Sequence, residues 1–329
     1  MPTIRRRLIT IPALFLLWML AVATLPATLT VLTLVGVLRR RRFVLVRMLL
    51  FVLVYSSLEL VGLIGALFAG RSEARLYALQ EWWACTLFSV ACRLLSLRVD
   101  IQGEGSVTPG PILLFLRHAS LADALLPAVA VTRPEGIQLR YVLKKELLVD
   151  PCLDVVGNRL PNHFVDRARP TPADLEAIAT LAKDLGPQQG VIIYPEGTRF
   201  QPAKRARVLD KMKDSVHFER ASRLCHTLPP RLGGLSALLD AAPDVDVVFC
   251  SHAGFEGFAT FRDLISGDMV GRTLHIRFWR VPARDVPRDV DARTVFLYEQ
   301  WQRVDDVVRT FVDEDRPSQF VQVDASAVA

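Results

Sequence analysis

The chain is poor in cysteine, and what it has is scattered. Cys85, Cys92, Cys152, Cys225 and Cys250 are the five in 329 residues, with no Cys-x-x-Cys pair and no short Cys/His cluster. Such spacing signals neither a zinc site nor a disulfide framework, and free thiols in a reducing compartment are expected. Basic residues interleaved with aromatics, the mark of a nucleic-acid surface, are also missing. So are internal repeats and low-complexity linkers. A net charge of +6 and an isoelectric point near 9.3 therefore point to a membrane surface or an anionic substrate.

What the chain does have is apolar sequence, unevenly placed. Hydrophobic residues make up 51%, the mean hydropathy is +0.29, and most of the excess precedes residue 98. One run extends from Leu8 to Leu38 and another from Phe43 to Ala69, where Glu59 is the sole acidic residue. As a helix the second would extend about 40 Å, enough for a tilted membrane path. The first is interrupted by Pro26 and flanked by Arg5–Arg7 and Arg39–Arg42. Basic residues favour the cytoplasmic side of membrane segments. Arginines at both ends predict a hairpin or re-entrant pair bent near Thr24–Pro26. A cleaved signal peptide fits poorly, because no small-residue cleavage site follows. A third stretch, Leu79 to Leu97, contains Trp82, Trp83 and Phe88. It reads either as an interfacial helix or returning span, or as a buried helix of the next domain. Residues 1–97 are thus expected to be membrane-anchoring helices.

From Arg98 onward strand-like runs alternate with helical patterns. Strands are expected at Arg98–Gln102, Ile112–Leu116, Arg140–Leu143, Val191–Tyr194, Val245–Cys250 and Leu274–Trp279. Helices are expected near Ala122–Val131, Pro172–Leu185, Val208–Cys225, Leu235–Ala241 and Ala292–Phe311. This alternation predicts an α/β domain over residues 98–315, with a mixed, partly parallel sheet flanked by helices. A flexible tail is expected at 316–329.

Two segments can carry chemistry. Arg117-His118-Ala119-Ser120-Leu121-Ala122-Asp123 follows the apolar strand Ile112–Leu116, and open α/β sheets present ligands at strand ends. A turn would bring Asp123 back to orient the His118 ring and stabilise its protonated form. Ser120 lacks a strained Gly-x-Ser-x-Gly elbow and reads as a capping residue rather than a nucleophile. Pro195-Glu196-Gly197-Thr198-Arg199 follows a second strand. There Gly197 permits a tight turn, and Arg199 offers a planar fork for phosphate oxygens. Glu196 reads as holding that arginine or reaching a substrate hydroxyl. A structural turn with a surface Glu–Arg pair is the plainer alternative.

Together these residues resemble the glycerolipid acyltransferases, a family that includes 1-acyl-glycerol-3-phosphate acyltransferase. Lys144-Lys145-Glu146-Leu147-Leu148 is similar to the family's lysine-containing block, and Phe164-Val165-Asp166-Arg167 to its second motif. Pro161 stands where that motif usually has glycine. Leu228-Pro229-Pro230-Arg231-Leu232-Gly233-Gly234 and Phe296-Leu297-Tyr298 with Trp301 and Asp305 look like the lysophospholipid branch that includes lysocardiolipin acyltransferases.

The resemblance implies direct acyl transfer without an acyl-enzyme. His118 would be the general base and Asp123 its orienting partner. Glu196, Gly197, Thr198, Arg199, Lys144 and Arg231 would bind substrate, the cations taking the acceptor's phosphate. No metal or redox cofactor is implied; the donor would be an acyl-CoA or acyl carrier protein thioester. The acceptor would be 1-acyl-glycerol-3-phosphate, or alternatively another lysophospholipid such as lysocardiolipin. The enzyme would be an integral membrane protein with its site facing the cytoplasm. A rival from another class is a non-catalytic, membrane-anchored lipid-binding protein.

Overall fold

The computed structural model describes residues 3–38, 43–166, 171–256 and 266–314. The arginines 39–42, Arg167 of the second motif and the tail 316–329 lie outside the described residues.

Helix α1 (Thr3–Leu38) is one continuous helix of 36 residues with Pro12 and Pro26 inside it. The bent pair expected around Thr24–Pro26 is therefore not formed. Pro26 removes one main-chain donor and frees the Val22 carbonyl, a loss that helices in apolar surroundings tolerate. Here Thr24, Thr28 and Thr30 donate to the carbonyls of Leu20, Thr24 and Pro26 at 2.8, 3.0 and 2.8 Å. Helix α2 (Val44–Ala69) returns beside α1, and Trp18 Nε1 donates to Ser57 Oγ at 2.9 Å. Both helices are long and apolar enough to cross a membrane.

Neither helix stands away from the rest of the chain. Arg47 near the start of α2 donates to the Leu94 carbonyl, and Arg159 donates to the Ala66 carbonyl near its end at 2.8 Å. Helix α2 is thus laid along the flank of the α/β domain, while Leu67 and Phe68 face outward, 73% and 80% exposed. At the start of α1, Arg6 and Arg7 converge on the buried Asp154 carboxylate at 2.7 and 3.2 Å. Helix α3 (Glu73–Leu95) buries Leu76, Tyr77, Ala84, Cys85, Leu87, Phe88, Ala91 and Leu95. That one-sided burial makes it a core helix of the domain, the second of the two readings of Leu79–Leu97.

The sheet has seven strands: β1 (Arg98–Gln102), β2 (Ile112–Leu116), β3 (Gln138–Lys144), β4 (His163–Val165), β5 (Gln189–Ile193), β6 (Asp246–Ala253) and β7 (Thr273–Val281). Their order is β1-β7-β6-β2-β5-β3-β4. Every neighbouring pair is parallel except β6–β7, so the sheet is mixed and mainly parallel, as expected. Because side chains alternate along a strand, β2 feeds two cores. Ile112, Leu114 and Leu116 join α3 on one face. Leu113 and Phe115 join the helices of the other face.

Helix α4 (Pro151–Gly157) and strand β4 are absent from the sequence expectations, being only 7 and 3 residues long. Helices α5 (Pro172–Leu181), α8 (Leu232–Ala241) and α9 (Val290–Glu314) cover the second face. The helix expected over Val208–Cys225 is divided into α6 (Pro202–Lys211) and α7 (Phe218–Arg223). The helix expected at Ala122–Val131 is a short turn, Ala122–Ala124, followed by a continuous helical stretch over 126–135 with a wider central part at Ala128–Thr132.

Candidate active site

Strands β2, β5 and β3 run parallel, so their C-terminal ends share one edge of the sheet. His118 follows β2, the 195–199 segment follows β5, and Lys144 closes β3. This edge is where open α/β sheets place their ligands. Strand β5 lies between Lys144's strand and that of His118.

The segment after β2 folds around a carboxylate. Asp123 Oδ2 accepts from the backbone of Ala119 and Ser120 at 2.6 and 2.7 Å, and Oδ1 accepts from Ser120 Oγ at 2.6 Å. The same oxygen Oδ2 lies 3.0 Å from His118 Nδ1. Ser120 therefore shapes the turn, and its Oγ also accepts from the Ala122 backbone at 3.1 Å. Tyr194 packs against the imidazole with ring centres 4.7 Å apart and the planes tilted by 41°. Asp123 is fully buried, whereas the His118 side chain is 15% exposed. The ring thus stands between an ion sealed in the protein and the open edge.

Burial alone would raise the Asp123 pKa. His252, the hydrogen bond and charge of His118, and the Ser120 hydroxyl outweigh it and hold the group at about 2. The folded value lies below the ordinary 3.8, so this carboxylate stabilises the fold above pH 3.8 and the contribution is lost as pH falls toward 2. The difference is worth about 2 kcal/mol. Urea midpoints at pH 6 and pH 3 should accordingly fall further for wild type than for Asp123→Asn. Equal falls would show that Asp123 is not the acid-sensitive group.

The 195–199 segment is tied to the His118 turn by hydrogen bonds. Glu196 is buried, its Oε1 accepting from the His118 backbone at 2.8 Å and its Oε2 from the Leu228 backbone at 2.9 Å. Burial pushes its pKa up to about 8 against the pull of Arg117 and those two N–H groups. Its carboxylate clasps two loops, a role different from holding Arg199 or reaching a substrate hydroxyl. Phe200 N donates to the His118 carbonyl at 2.7 Å, and Arg231 N to the Pro195 carbonyl at 2.8 Å. Lys204 Nζ donates to Thr198 Oγ1 at 3.1 Å.

Gly197 has φ +68°, and a Cβ added there would lie 2.7 Å from Arg231 Cδ and Nε. The Arg231 side chain thus crosses over the turn that precedes Arg199. Gly197→Ala should strain the backbone and displace Arg231 together. We expect a rise in KM for a phosphate-bearing acceptor with a smaller change for a neutral one. An unchanged KM would remove Arg231 and this turn from acceptor binding.

Behind these loops lies a layer that sequence reasoning did not assign. Arg117 is buried and donates to the His252 carbonyl at 2.6 Å, to Glu256 Oε1 at 2.8 Å and to the His226 carbonyl at 2.9 Å. Buried His252 donates from Nε2 to the Arg117 carbonyl at 2.9 Å, and that nitrogen is 3.7 Å from Asp123 Oδ1. Asp305 accepts from the backbone of Cys225 and His226 at 3.0 and 2.6 Å, and from Thr227 Oγ1 at 2.9 Å. Trp301 Nε1 reaches the Leu228 carbonyl at 2.9 Å. The block at Leu228–Gly234 and the pair Trp301/Asp305, singled out separately in the sequence, meet here. The signal for Arg117 was its place beside His118; a buried histidine such as His252 gives none in sequence.

Between α2, α3 and the sheet lies a cavity of about 420 Å³, within the usual size of a small-molecule site. Phe51, Leu87, Phe88, Leu125 and Leu143 make its walls apolar, and Leu121 and Ala122 of the His118–Asp123 turn line it too. Among the described residues no group of three or more His, Cys, Asp or Glu is arranged to hold a metal ion.

The mixed sheet and its flanking helices are similar in fold to a known acyltransferase. The Acyltransferase family model matches residues 98–248. The chain is similar to the 1-acyl-sn-glycerol-3-phosphate acyltransferase epsilon of Mus musculus, 21% identical over 258 residues that cover 75% of this chain and 70% of that protein. Its fold is similar to the crystal structure of the 1-acyl-sn-glycerophosphate (LPA) acyltransferase, PlsC, from Thermotoga maritima. That match has a TM-score of 0.54 and 15% identity, covering 84% of this chain and 99% of the other. These matches support the glycerolipid acyltransferase family and an acyltransferase activity.

Proposed function

We propose that the chain transfers a fatty acyl group from a thioester of coenzyme A or acyl carrier protein to the free hydroxyl of 1-acyl-glycerol-3-phosphate, giving phosphatidic acid. The observation that carries this reading is the 3.0 Å contact between His118 Nδ1 and buried Asp123, at an edge shared with a cationic turn and beside an apolar cavity. With Nδ1 engaged, Nε2 is the basic nitrogen offered to substrate. It takes the proton as the acceptor oxygen attacks the thioester carbonyl; the carbon–sulfur bond then breaks and the imidazolium returns the proton to the departing thiolate. Asp123 fixes the tautomer and balances the charge that forms on the ring. Arg199 and Arg231 hold the acceptor's phosphate, with Lys144 as a further cation. The cavity takes an alkyl chain. The names of both relatives, acyltransferases of this acceptor class, support the assignment.

Helices α1 and α2 seat the enzyme on the membrane that holds acceptor and product, with the site toward the cytoplasm. A second acceptor, lysocardiolipin or another lysoglycerophospholipid, is suggested by the Leu228–Gly234 block, whose first carbonyl accepts from Trp301 and whose preceding residue Thr227 donates to Asp305. A panel of lysolipids offered with acyl-CoA to protein in lipid separates the two. Lysophosphatidate should give the highest kcat/KM; were it among the poor acceptors, the first assignment would be abandoned.

A further inference from the structure

Helix α6 leaves the active-site edge directly. Phe200, two residues before the helix, donates its N–H to the His118 carbonyl at 2.7 Å. Three of the helix's cations, Lys204, Arg207 and Lys211, are spaced three and four residues apart and so share one face. The stripe extends over about 10 Å of helix. It begins at the site, where Lys204 Nζ donates to Thr198 Oγ1 at 3.1 Å and to the Arg199 carbonyl at 3.3 Å. Arg207 and Lys211 are exposed. The neighbouring cations Lys213 and Arg223 are paired with Asp210 and Glu219. Among the described residues no carboxylate pairs with Lys204, Arg207 or Lys211.

This arrangement costs the chain energy. Like charges three or four residues apart on a helix repel, and cations are unfavourable in a helix's first turn, where Lys204 stands. Burial, and next the charge of Arg199, lower the Lys204 pKa. Local rules broken with no compensation in the fold mark a functional site, and an anion along this face relieves each of these costs. A bilayer held by α1 and α2 does not supply it. Arg205 donates to the Ser222 and Leu224 carbonyls of the α7 segment, and Leu224 joins the core on the sheet face opposite α2 and α3. Helix α6 is therefore moored to the side turned away from the apolar helices.

Of the two substrates of the proposed reaction, the donor is the one that arrives from solution. Coenzyme A carries its thioester at one end of a pantetheine arm, with a pyrophosphate and a 3′-phosphate at the other. With the thioester beside His118, those phosphates lie away from the base, where a row of cations leading from the site meets them. A carrier protein's arm ends in one phosphodiester, which leaves most of such a row unmatched. We propose that Lys204, Arg207 and Lys211 bind the phosphates of coenzyme A. The inference rests on the acyltransferase reading and deepens it by choosing between its two donors.

The test compares kcat/KM for one acyl group carried by coenzyme A, by pantetheine without phosphates and by acyl carrier protein. Wild type should use acyl-CoA best. In the double variant Arg207→Glu/Lys211→Glu the ratio of acyl-CoA to acyl-pantetheine should fall by roughly tenfold, the effect of reversing two exposed charges, and through KM rather than kcat. Raising the salt concentration should lower the same ratio in wild type and much less in the variant. Adenosine 3′,5′-bisphosphate, the far end of coenzyme A without its arm, should compete with acyl-CoA in wild type and about tenfold more weakly in the variant. That inhibition reads the site even where acyl-pantetheine is a poor donor. Both substituted residues are exposed and the ratio is read within each protein, so altered folding does not imitate the effect. A ratio and an inhibition that the variant leaves unchanged would overturn the proposal, as would a loss confined to acyl carrier protein. Absence of transfer from every thioester would instead overturn the acyltransferase reading beneath it.

Discussion

His118→Ala is expected to lower acyl transfer by about 10²- to 10⁴-fold, the usual loss when a positioned general base is removed. The loss should fall on kcat, because in the proposed mechanism the ring meets the acceptor hydroxyl as its proton leaves and adds little to ground-state binding. Co-sedimentation with lysolipid-containing vesicles should stay near wild type. A purely lipid-binding protein would show no activity in the wild type and no change in the variant. Asp123→Asn tests the same dyad from the other side. The amide can present its N–H to His118 Nδ1, which favours the tautomer with its proton on Nε2 and so removes the base. Since the two residues act as a unit, the double variant should be scarcely slower than the worse single one. Fully additive losses would show that they act separately.

The parts of this molecule legible in sequence are those with a local signal. Ile112–Leu116 and Val191–Tyr194 are short apolar runs bounded by turn residues, and each became a buried strand within a residue or two. His118 and Asp123 are five residues apart, so one turn suffices to join them. Gly197 announced a turn, and it adopts the positive φ that glycine favours. What stayed hidden depends on contacts across the chain. Pro26 looked like a bend because proline costs a helix one bond; one lost bond in a 36-residue helix packed against α2 leaves it continuous. Glu196 looked available for substrate because its partners, the His118 and Leu228 backbones, are 78 and 32 residues away. Glu59 read as the one acidic residue of an apolar run; only the fold sets it beside Trp83 and Cys152.

Glu196→Gln should destabilise the domain although the two side chains have almost the same shape. Both carboxylate oxygens accept main-chain N–H bonds, so either orientation of a glutamine turns its amide donor onto another donor. One buried N–H is then left unmet, at a cost of about 1–3 kcal/mol. Above the raised Glu196 pKa of about 8, the substitution also removes a negative charge that, after Glu256, supports the buried Arg117 guanidinium. For a domain of this size we expect Tm to fall by roughly 2–4 °C for each kcal/mol lost. Acyl transfer should fall as well, because the His118 backbone is one of the two groups released, and a base displaced by about 1 Å can lose roughly a hundredfold. Thermal unfolding and single-turnover transfer measured on the same preparation check both effects. A glutamine variant with wild-type Tm and wild-type rate would mean that the two loops keep their positions without this carboxylate, and that their meeting at one edge of the sheet has another cause.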